Sequence, residues 1–480
     1  AGGNNTSTTF GGTMTGTGGF TKTGSGTLTI TNSLGYTGAT TINNNSTLQL
    51  GNGSTSGNLT GTSGVTNNGT LAFNQAADTT FAAAITGSGN VTVSGTGRTI
   101  LTNTGNSYSG NTTINSGATL QLGNGVSNGN LTGTNLTNNG TLAFNQGTDT
   151  TFNRTITGSG AVTVSGPGKT TLTANNTYNG ATTINLGATL ELGGSSGNLS
   201  NTSSITNNGL FIFNQSSSTN FNKSISGSGG VTFAGSGTVT LSAAQNYTGT
   251  TTINNGSTLT LSGSGRLHDS GSVVVDGTWN LASVSDTIGS LSGSGSVTLG
   301  SATLTTSTSA DTAFSGTISG SGGSLVKTGS GTLTLTGANT YTGTTTISGG
   351  TLQIGDGGTT GSIASTSIVN NANLAINRSD TVAYGGTISG SGSLTKLGAG
   401  NLTLTGNNTY SGNTTVSEGA IIAGSTNALG AGGSTFVENG ATLALQGGLT
   451  FSSESELHLD GLGVGGWAGA LLNLSGNNTW

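Results

Sequence analysis

Four ionisable side chains alternate with other residues near the end of the chain, and this spacing could support chemistry. They are Glu454, Glu456, His458 and Asp460. Side chains two residues apart lie on the same face of a strand, so we expect all four to share one face. Carboxylates beside an imidazole could hold a cation or a ligand, or act as an acid and a base. The alternative is a solvated outer face above inward-pointing Leu457 and Leu459, because no second strand adds a partner.

A second polar group occurs in the middle of the chain. Arg266, His268 and Asp269 stand close together, and Asp276 follows them. These residues are candidates for a contact patch, with a simple solvated loop as the alternative. The chain has no Cys, which argues against a thiolate metal site. We predict neither a metal nor a cofactor.

Aspartates at matching repeat positions raise the question of a paired-carboxylate glycosidase. Asp78 matches Asp149, and Asp311 matches Asp380. If one repeat forms three coils, the members of each pair lie about 14 Å apart. Glycosidases need their two carboxyl groups about 5 to 9.5 Å apart. We therefore interpret these aspartates as surface charges and predict that the protein is not an enzyme.

Lysines and tyrosines also recur at fixed repeat positions. Lys22, Lys327 and Lys396 share one position, but other copies carry Val or Phe there, so they do not form a binding row. The tyrosines are Tyr36, Tyr108, Tyr178, Tyr247, Tyr341 and Tyr410. They could form an exposed row that stacks on sugars, although packing at coil corners or on a neighbouring strand is the favoured interpretation.

Composition excludes several classes of partner. The 480 residues include 91 Gly and one Pro, only 5% are charged, and the net charge is −5. The nine Lys and Arg are scattered singly, so no basic stripe exists for nucleic acid. The Gly-Ser-Gly motifs are not followed by Lys-Ser/Thr, which argues against a nucleotide site. No apolar stretch approaches the roughly 20 residues of a membrane span, and the given sequence does not open on a charged-then-apolar leader.

Internal repeats organise the chain. The steps between successive recurring tyrosines are 72, 70, 69, 94 and 69, and two further motifs recur with a similar period. The exceptional step exceeds 70 by 24, which is close to one third of a repeat. We therefore expect three coils of roughly 23 residues in each repeat and one extra coil between Tyr247 and Tyr341. The last residues, up to Trp480, match residues 404–410, so we expect the parent protein to continue beyond them.

The residue pattern within a coil predicts a right-handed parallel β-helix, that is, a β-solenoid of about 21 coils. Leu, Ile, Val and Phe alternate with Thr and Ser in runs of three to five residues, as in strands with one face inward. Gly and Asn supply the corners. Tandem immunoglobulin-like sandwiches are the all-β alternative, but these strands are too short for them. The expected rod is on the order of 100 Å long.

We expect one continuous solenoid over residues 1–480. Its repeats are predicted at about 1–71, 72–142, 143–211, 212–305 with the extra coil, 306–374 and 375–444, with a partial repeat at 445–480.

The repeat resembles a known family. Its clearest copy, residues 329–355, reads GSGTLTLTGANTYTGTTTISGGTLQIG, with further copies at 24–50, 95–122, 166–192, 235–261 and 398–424. This closely resembles the autotransporter-associated β-strand repeat, also called the passenger-associated transport repeat. The resemblance implies a passenger of type V secretion, displayed outside a Gram-negative cell. It also implies an outer-membrane translocator barrel in a C-terminal part that lies beyond this chain.

These observations lead to two functional hypotheses. The first is an extracellular structural stalk or adhesin that binds surface glycans or matrix by many weak contacts. Self-association into bundles or filaments is a variant of it, because flat β-faces can dock on one another. The second is a carbohydrate-active β-helix enzyme, either a polysaccharide lyase or a glycosidase, with its site near residues 454–460.

Overall fold

The structure, a computed structural model, describes residues 5–451 and 456–480. These residues form 60 short strands and no helix, and the longest strands have six residues. Parallel strands stack as a β-solenoid of about 22 turns. The prediction of an all-β parallel solenoid is therefore confirmed. The chain divides into two compact units, Ala1–Gly237 and Thr238–Trp480.

The first unit has three faces, because each turn contributes strands to three ladders. The first face holds Thr8–Phe10, Thr27–Ile30, Thr47–Leu50, Thr70–Asn74, Asn90–Ser94, Thr112–Ile114, Leu136–Asn138 and Ile156–Thr157; the second holds Thr79–Phe81, Thr99–Leu101, Thr119–Leu122, Thr141–Asn145, Ala161–Ser165, Thr182–Ile184, Ile205–Asn207 and Ile225–Gly227; the third holds Phe20–Lys22, Thr40–Ile42, Val65–Asn67 and Ile85–Thr86, and then Thr150–Phe152, Thr170–Leu172, Thr189–Gly194, Leu210–Gln215 and Gly230–Phe233. The remaining strands of this unit are Ser33–Leu34 with Asn58–Leu59, Asn175–Asn176 with Asn198–Leu199, and Thr219–Phe221.

The second unit is built from ladders of the same kind. They are Thr238–Leu241, Thr258–Leu261, Thr278–Asn280, Ser296–Thr298 and Thr317–Ser319; Thr251–Ile253, Ser272–Val275 and Ser290–Ser292; Asp286–Ile288, Thr303–Thr306, Ser324–Lys327, Thr345–Ile347, Ser367–Asn370 and Thr387–Ser389; Thr312–Phe314, Thr332–Leu335, Thr351–Ile354, Asn373–Asn377, Ser393–Leu397, Thr414–Val416, Thr435–Val437 and Leu457–Leu459; Val382–Tyr384, Asn401–Leu404, Gly419–Ala423, Ala441–Gln446 and Leu471–Ser475; and Ala338–Asn339 with Ser362–Ile363. Asn246–Tyr247 is a further short strand.

Alternation of residue types explains the strands. In Thr27–Ile30, Leu28 and Ile30 are buried while the two threonines are half-buried on the outside. Thr is β-branched and favours extended backbone, so it serves the outer position well. Burial of each Leu, Ile or Phe side chain contributes about 1.5–3 kcal/mol. The core therefore runs along the interior of each unit as stacked columns of aliphatic and aromatic side chains.

Contacts between consecutive turns give the length of a turn. Asn176 bonds Ile156 across a turn of 20 residues, whereas Asn135 bonds Asn111 across a turn of 24 residues. Turns as short as 18 residues occur, as between Asp276 and Ser294. Most turns are thus somewhat shorter than the roughly 23 residues that the repeat length suggested.

Each repeat covers three turns and one additional face, slightly more than the three predicted turns. Ile30 pairs with Leu50, Leu50 with Phe73 and Phe73 with Val93, which is three turns along the first face. The repeat equivalent of Ile30 is Leu101, which lies on the second face. Each motif therefore moves to another face with every repeat.

The long step between repeats contains more than a single inserted turn. Thr251 pairs with Val273 and Val273 with Leu291, and the ladder continues from Gly293 to Phe314. The next copy of the Thr251 motif lies in a different ladder. Because the turns here are short, the additional segment supplies one turn and a further face.

Glycines at the corners allow neighbouring turns to approach closely. Gly95 has a φ of 85°, in the left-handed region, and a Cβ there would clash with the carbonyl oxygen of Gln75 one turn earlier. Both conditions favour glycine. The corner thus fixes the residue type independently of the core.

Candidate contact surfaces

The predicted carboxylate–histidine group lies on the Leu457–Leu459 strand, and the structure brings part of it together. Nε2 of His458 lies 2.9 Å from a carboxylate oxygen of Glu456, and both side chains are exposed. The His458 ring stacks on Phe436, with 4.5 Å between ring centroids. Asp460 is exposed, and its backbone N–H donates to Val437. Glu454 lies outside the described residues.

The inward leucines predicted beneath this group are less buried than expected. Leu457 is half-buried and Leu459 is 47% exposed. Glu456 and His458 therefore form a water-exposed contact pair on a thinly covered strand. An exposed pair of this kind contributes about 0 to 1 kcal/mol to stability.

The predicted patch at Arg266, His268 and Asp269 does not form an ion-paired cluster among the described residues. Leu267 between them is buried, and Nδ1 of His268 lies 3.0 Å from the Ser270 hydroxyl. Asp276 instead accepts hydrogen bonds from the Ser294 backbone and hydroxyl, both at 3.0 Å.

A buried carboxyl that the sequence analysis did not single out lies beside this patch. Asp286 is 3% exposed and accepts backbone hydrogen bonds from Leu267 and Thr287, both at 3.0 Å. Burial raises the pKa of Asp286 to about 7. Its role matches that of Asn176, which accepts the backbone N–H of Ile156 one turn earlier. Asp286 lies in the additional segment between Tyr247 and Tyr341, so no repeat position in the sequence pointed to it.

The matching aspartates lie on different ladders, so they do not stack along one face at the spacing predicted for them. Asp78 precedes a second-face strand, and Asp149 precedes a third-face strand. Arg98 donates two hydrogen bonds to the Asp78 carboxylate and lowers its pKa. Arg378 pairs with Asp380 in the same way, with 2.8 Å between them, and also lowers its pKa. Because each repeat rotates the motif to another face, the two aspartates of each matching pair lie on different ladders.

The three lysines at one repeat position are buried structural cations. Lys22, Lys327 and Lys396 are at most 1% exposed. The Lys396 ammonium donates to the carbonyls of Leu397 at 2.7 Å and Gly398 at 2.6 Å, and the other two make equivalent bonds. Burial lowers the pKa of Lys396 to about 8. These lysines close a corner from the inside, where other repeats place Val or Phe.

The repeated tyrosines lie in the interior of the solenoid, which excludes the exposed stacking row. All six are at most 1% exposed. Each hydroxyl hydrogen-bonds the threonine four residues later, as Tyr178 does with Thr182 at 2.6 Å. Burial raises the pKa of Tyr108 to about 12. The favoured interpretation, packing within the coil, agrees with these contacts.

Buried asparagines link consecutive turns through their side chains. Asn176 accepts from the Ile156 backbone at 3.0 Å and donates to the Asn198 carbonyl at 3.2 Å. The asparagine at another repeat position donates to the following turn at 2.8 Å, and its copies lie on different ladders: Asn67, Asn138, Asn207 and Asn370. Buried polar groups are stable only when they are hydrogen-bonded. The repeated polar residues thus build the interior.

Outward residues of one ladder in the second unit form two parallel polar columns, which we call the threonine face. Its members are Thr238, Thr240, Thr258, Thr260, Thr278, Asn280, Ser296, Thr298, Thr317 and Ser319. They pair in strict register over five rungs. Neighbouring rungs lie about 4.8 Å apart, and alternate residues of a strand about 6.6 Å apart. The face is regular in register and uncharged.

Metal and membrane sites were also sought in the described ranges 5–451 and 456–480. Within them, no three His, Asp or Glu side chains form a group that could hold a metal ion. The same residues contain no helix long and apolar enough to cross a membrane.

Comparison with known families identifies the repeat. A model of the passenger-associated-transport-repeat matches the chain six times, at residues 20–50, 91–122, 162–192, 231–261, 325–354 and 394–423. No curated protein and no solved structure gives a significant match. The six matches fall on the segments whose sequence resembled this repeat, so that resemblance is confirmed.

Proposed function

We propose that the chain forms an adhesive stalk on the outer surface of a Gram-negative cell, because six of its segments match the passenger-associated-transport-repeat and such repeats point to an autotransporter passenger domain. One observation carries this proposal: the repeated polar residues form hydrogen bonds inside the solenoid. Tyr178, Asn176 and Lys396 all exemplify this use. The repeat therefore serves to extend a scaffold.

Adhesion is assigned to the outer surface, above all to the threonine face. Hydroxyl and amide groups bind weakly one at a time, but a regular array of ten of them in register can engage many groups together. Linked weak contacts gain overall affinity because each later contact is intramolecular. A second copy of the chain carries the same threonine face. It is therefore the partner whose polar groups match the spacing of this face most closely.

The carbohydrate-active alternative has little support. Hydrolysis by two carboxylates needs them about 5 to 9.5 Å apart. The aspartates at matching positions lie on different ladders, and Asp78 and Asp380 are held by arginines. The exposed Glu456–His458 pair lacks the enclosed cleft in which such groups usually act.

Electron microscopy and sedimentation of the purified chain over a concentration series test the proposal. We expect elongated particles that associate side by side as the concentration rises. Thr260→Lys, Asn280→Lys and Thr298→Lys together place three positive charges on consecutive rungs of the threonine face, and we expect them to abolish association. The control carries Thr163→Lys, Thr183→Lys and Thr206→Lys, three outward residues in register on the first unit.

Either of two results would contradict the proposal. A compact globule would refute the stalk. Monomers of the native chain at every concentration, or equal loss of association in both triple variants, would refute the threonine face as the surface of self-contact.

A further inference from the structure

An open groove of about 590 Å³ lies on the first face of the first unit. Three successive turns build it. Its floor is the outward column Thr113, Thr137 and Thr157, whose strands pair in register. On one side Asn135 donates to the side-chain oxygen of Asn111 at 2.9 Å. The floor and this wall present hydroxyl and amide groups to whatever occupies the groove.

The same edge of the groove carries a cation one turn further on, because residues 153–155, like Asn111 and Asn135, come just before a strand of this parallel ladder. Arg154 and its neighbour Asn153 line the groove there. Arg154 is half-buried, and its Nε is enclosed without a hydrogen bond. Among the described residues, no carboxylate forms an ion pair with it.

Six of the other eight cations of the chain have carboxylate or carbonyl partners. Arg98, Lys169 and Arg378 pair with carboxylates, at 2.6, 2.9 and 2.8 Å. The three buried lysines are held by backbone carbonyls. A guanidinium nitrogen withdrawn from water without a partner costs free energy. An anion in the groove would supply the carboxylate partner that the rest of this guanidinium lacks within the described chain.

We propose that this groove binds a segment of an acidic polysaccharide, with a sugar carboxylate on Arg154. The planar guanidinium fork suits a carboxylate, and the Thr113–Thr137 column with Asn153 suits sugar hydroxyls. This inference deepens the adhesive function proposed above and rests on it. The net charge of −5 does not attract polyanions in general, so binding must come from this local site.

Neighbouring repeats provide the substitution that tests the site. The position of Arg154 is taken by Ala83 in the preceding repeat and by Lys223 in the following one. The fold therefore already accepts alanine there, which makes Arg154→Ala a conservative change for stability. Arg266→Ala is the matched control, because Arg266 is an exposed arginine of the second unit.

Isothermal titration calorimetry with oligogalacturonate, and with a neutral galactose oligomer of equal length, measures the site. We expect the native chain to bind the acidic oligomer and to bind the neutral one at least tenfold more weakly. Loss of one charged hydrogen-bonding group is expected to reduce affinity roughly tenfold or more in Arg154→Ala. Arg266→Ala should retain native affinity, and an unchanged melting temperature would show that both variants are folded.

Three results would overturn the site: no binding of the acidic oligomer, equal binding of both oligomers, or equal loss in the two variants. None of them bears on the stalk, which the particle shapes and the threonine-face variants test separately. Conversely, failure of self-association would leave the calorimetric result intact.

Discussion

Asp286→Asn replaces the carboxyl of a buried side chain with an amide and leaves its shape intact. Asp286 is almost completely enclosed and accepts two backbone hydrogen bonds. The single carbonyl oxygen of Asn can accept the Leu267 N–H, as Asn176 accepts that of Ile156, while the adjacent Thr287 N–H loses its side-chain acceptor. The substitution therefore removes the ionisable group while keeping the link between turns.

The magnitude follows from the pKa of Asp286, which burial raises from 3.8 to about 7. Below pH 3.8 the carboxyl is protonated in both the folded and the unfolded chain, and no stability is lost. Between 3.8 and about 7 the unfolded chain releases the proton while the folded chain retains it, so stability falls as the pH rises. A rise of this size in the pKa corresponds to about 4 kcal/mol in the free energy of unfolding, and this contribution is fully lost above pH 7.

Denaturant unfolding at pH 4.5 and pH 8, followed by hydrogen exchange of the Leu267 and Thr287 amides, tests this reasoning. We expect the native chain to be more stable at the lower pH, and Asp286→Asn to remove most of that difference. Asp276→Asn, which alters an exposed carboxylate nearby, is the control and should leave the difference unchanged. An Asp286→Asn chain with the native pH dependence would refute the assignment of the loss to this carboxyl.

Two further substitutions test the interior and the corners. Asn176→Ala leaves the Ile156 N–H and the Asn198 carbonyl without their side-chain partner. We expect a loss of about 3 kcal/mol in the free energy of unfolding, against about 0.5 kcal/mol or less for exposed Asn175→Ala. Similar losses in the two variants would contradict the role of Asn176 as a link between turns. Gly95→Ala forces a side chain into the left-handed region and against the Gln75 carbonyl. We expect a lower melting temperature and a loss of at least about 1 kcal/mol in the free energy of unfolding, while Gly18→Ala, with open space around it, should be neutral. A neutral Gly95→Ala would refute the corner constraint.

Local patterning was enough to predict the fold class. Alternation such as Thr27–Ile30 and Gly-rich corners specify short strands with one inward face, and the parallel pairing follows from repetition. The sequence period did not determine the turn, because the repeat is not a whole number of turns: three turns lead from Ile30 only to Val93. Turn length depends on corner geometry, as the 18-residue step from Asp276 to Ser294 shows.

The roles of individual polar residues were harder to predict. Lys396 stands in a strand whose other copies carry Val or Phe, and only the contacts reveal that its ammonium reaches two carbonyls from inside. The groove at Arg154 joins residues from three turns, such as Asn111 and Asn135, which are 24 residues apart along the chain. Proximity of that kind depends on the register of the turns. The motif spacing predicted three turns in each repeat, about a third of a turn fewer than the structure has.

Rotation of the motif to another face with each repeat has a consequence for function. If a repeat were a whole number of turns, identical residues would stack on one face and any outward motif residue would become a continuous binding row. Instead, Ile30 and its equivalent Leu101 lie on different faces, and each face receives every part of the motif in turn. The interior remains uniform while the outer surface varies along each face. A contact that needs one particular charged side chain must therefore come from a position that varies between repeats, as the position of Ala83 and Arg154 does, whereas the threonine face needs only polar outward residues.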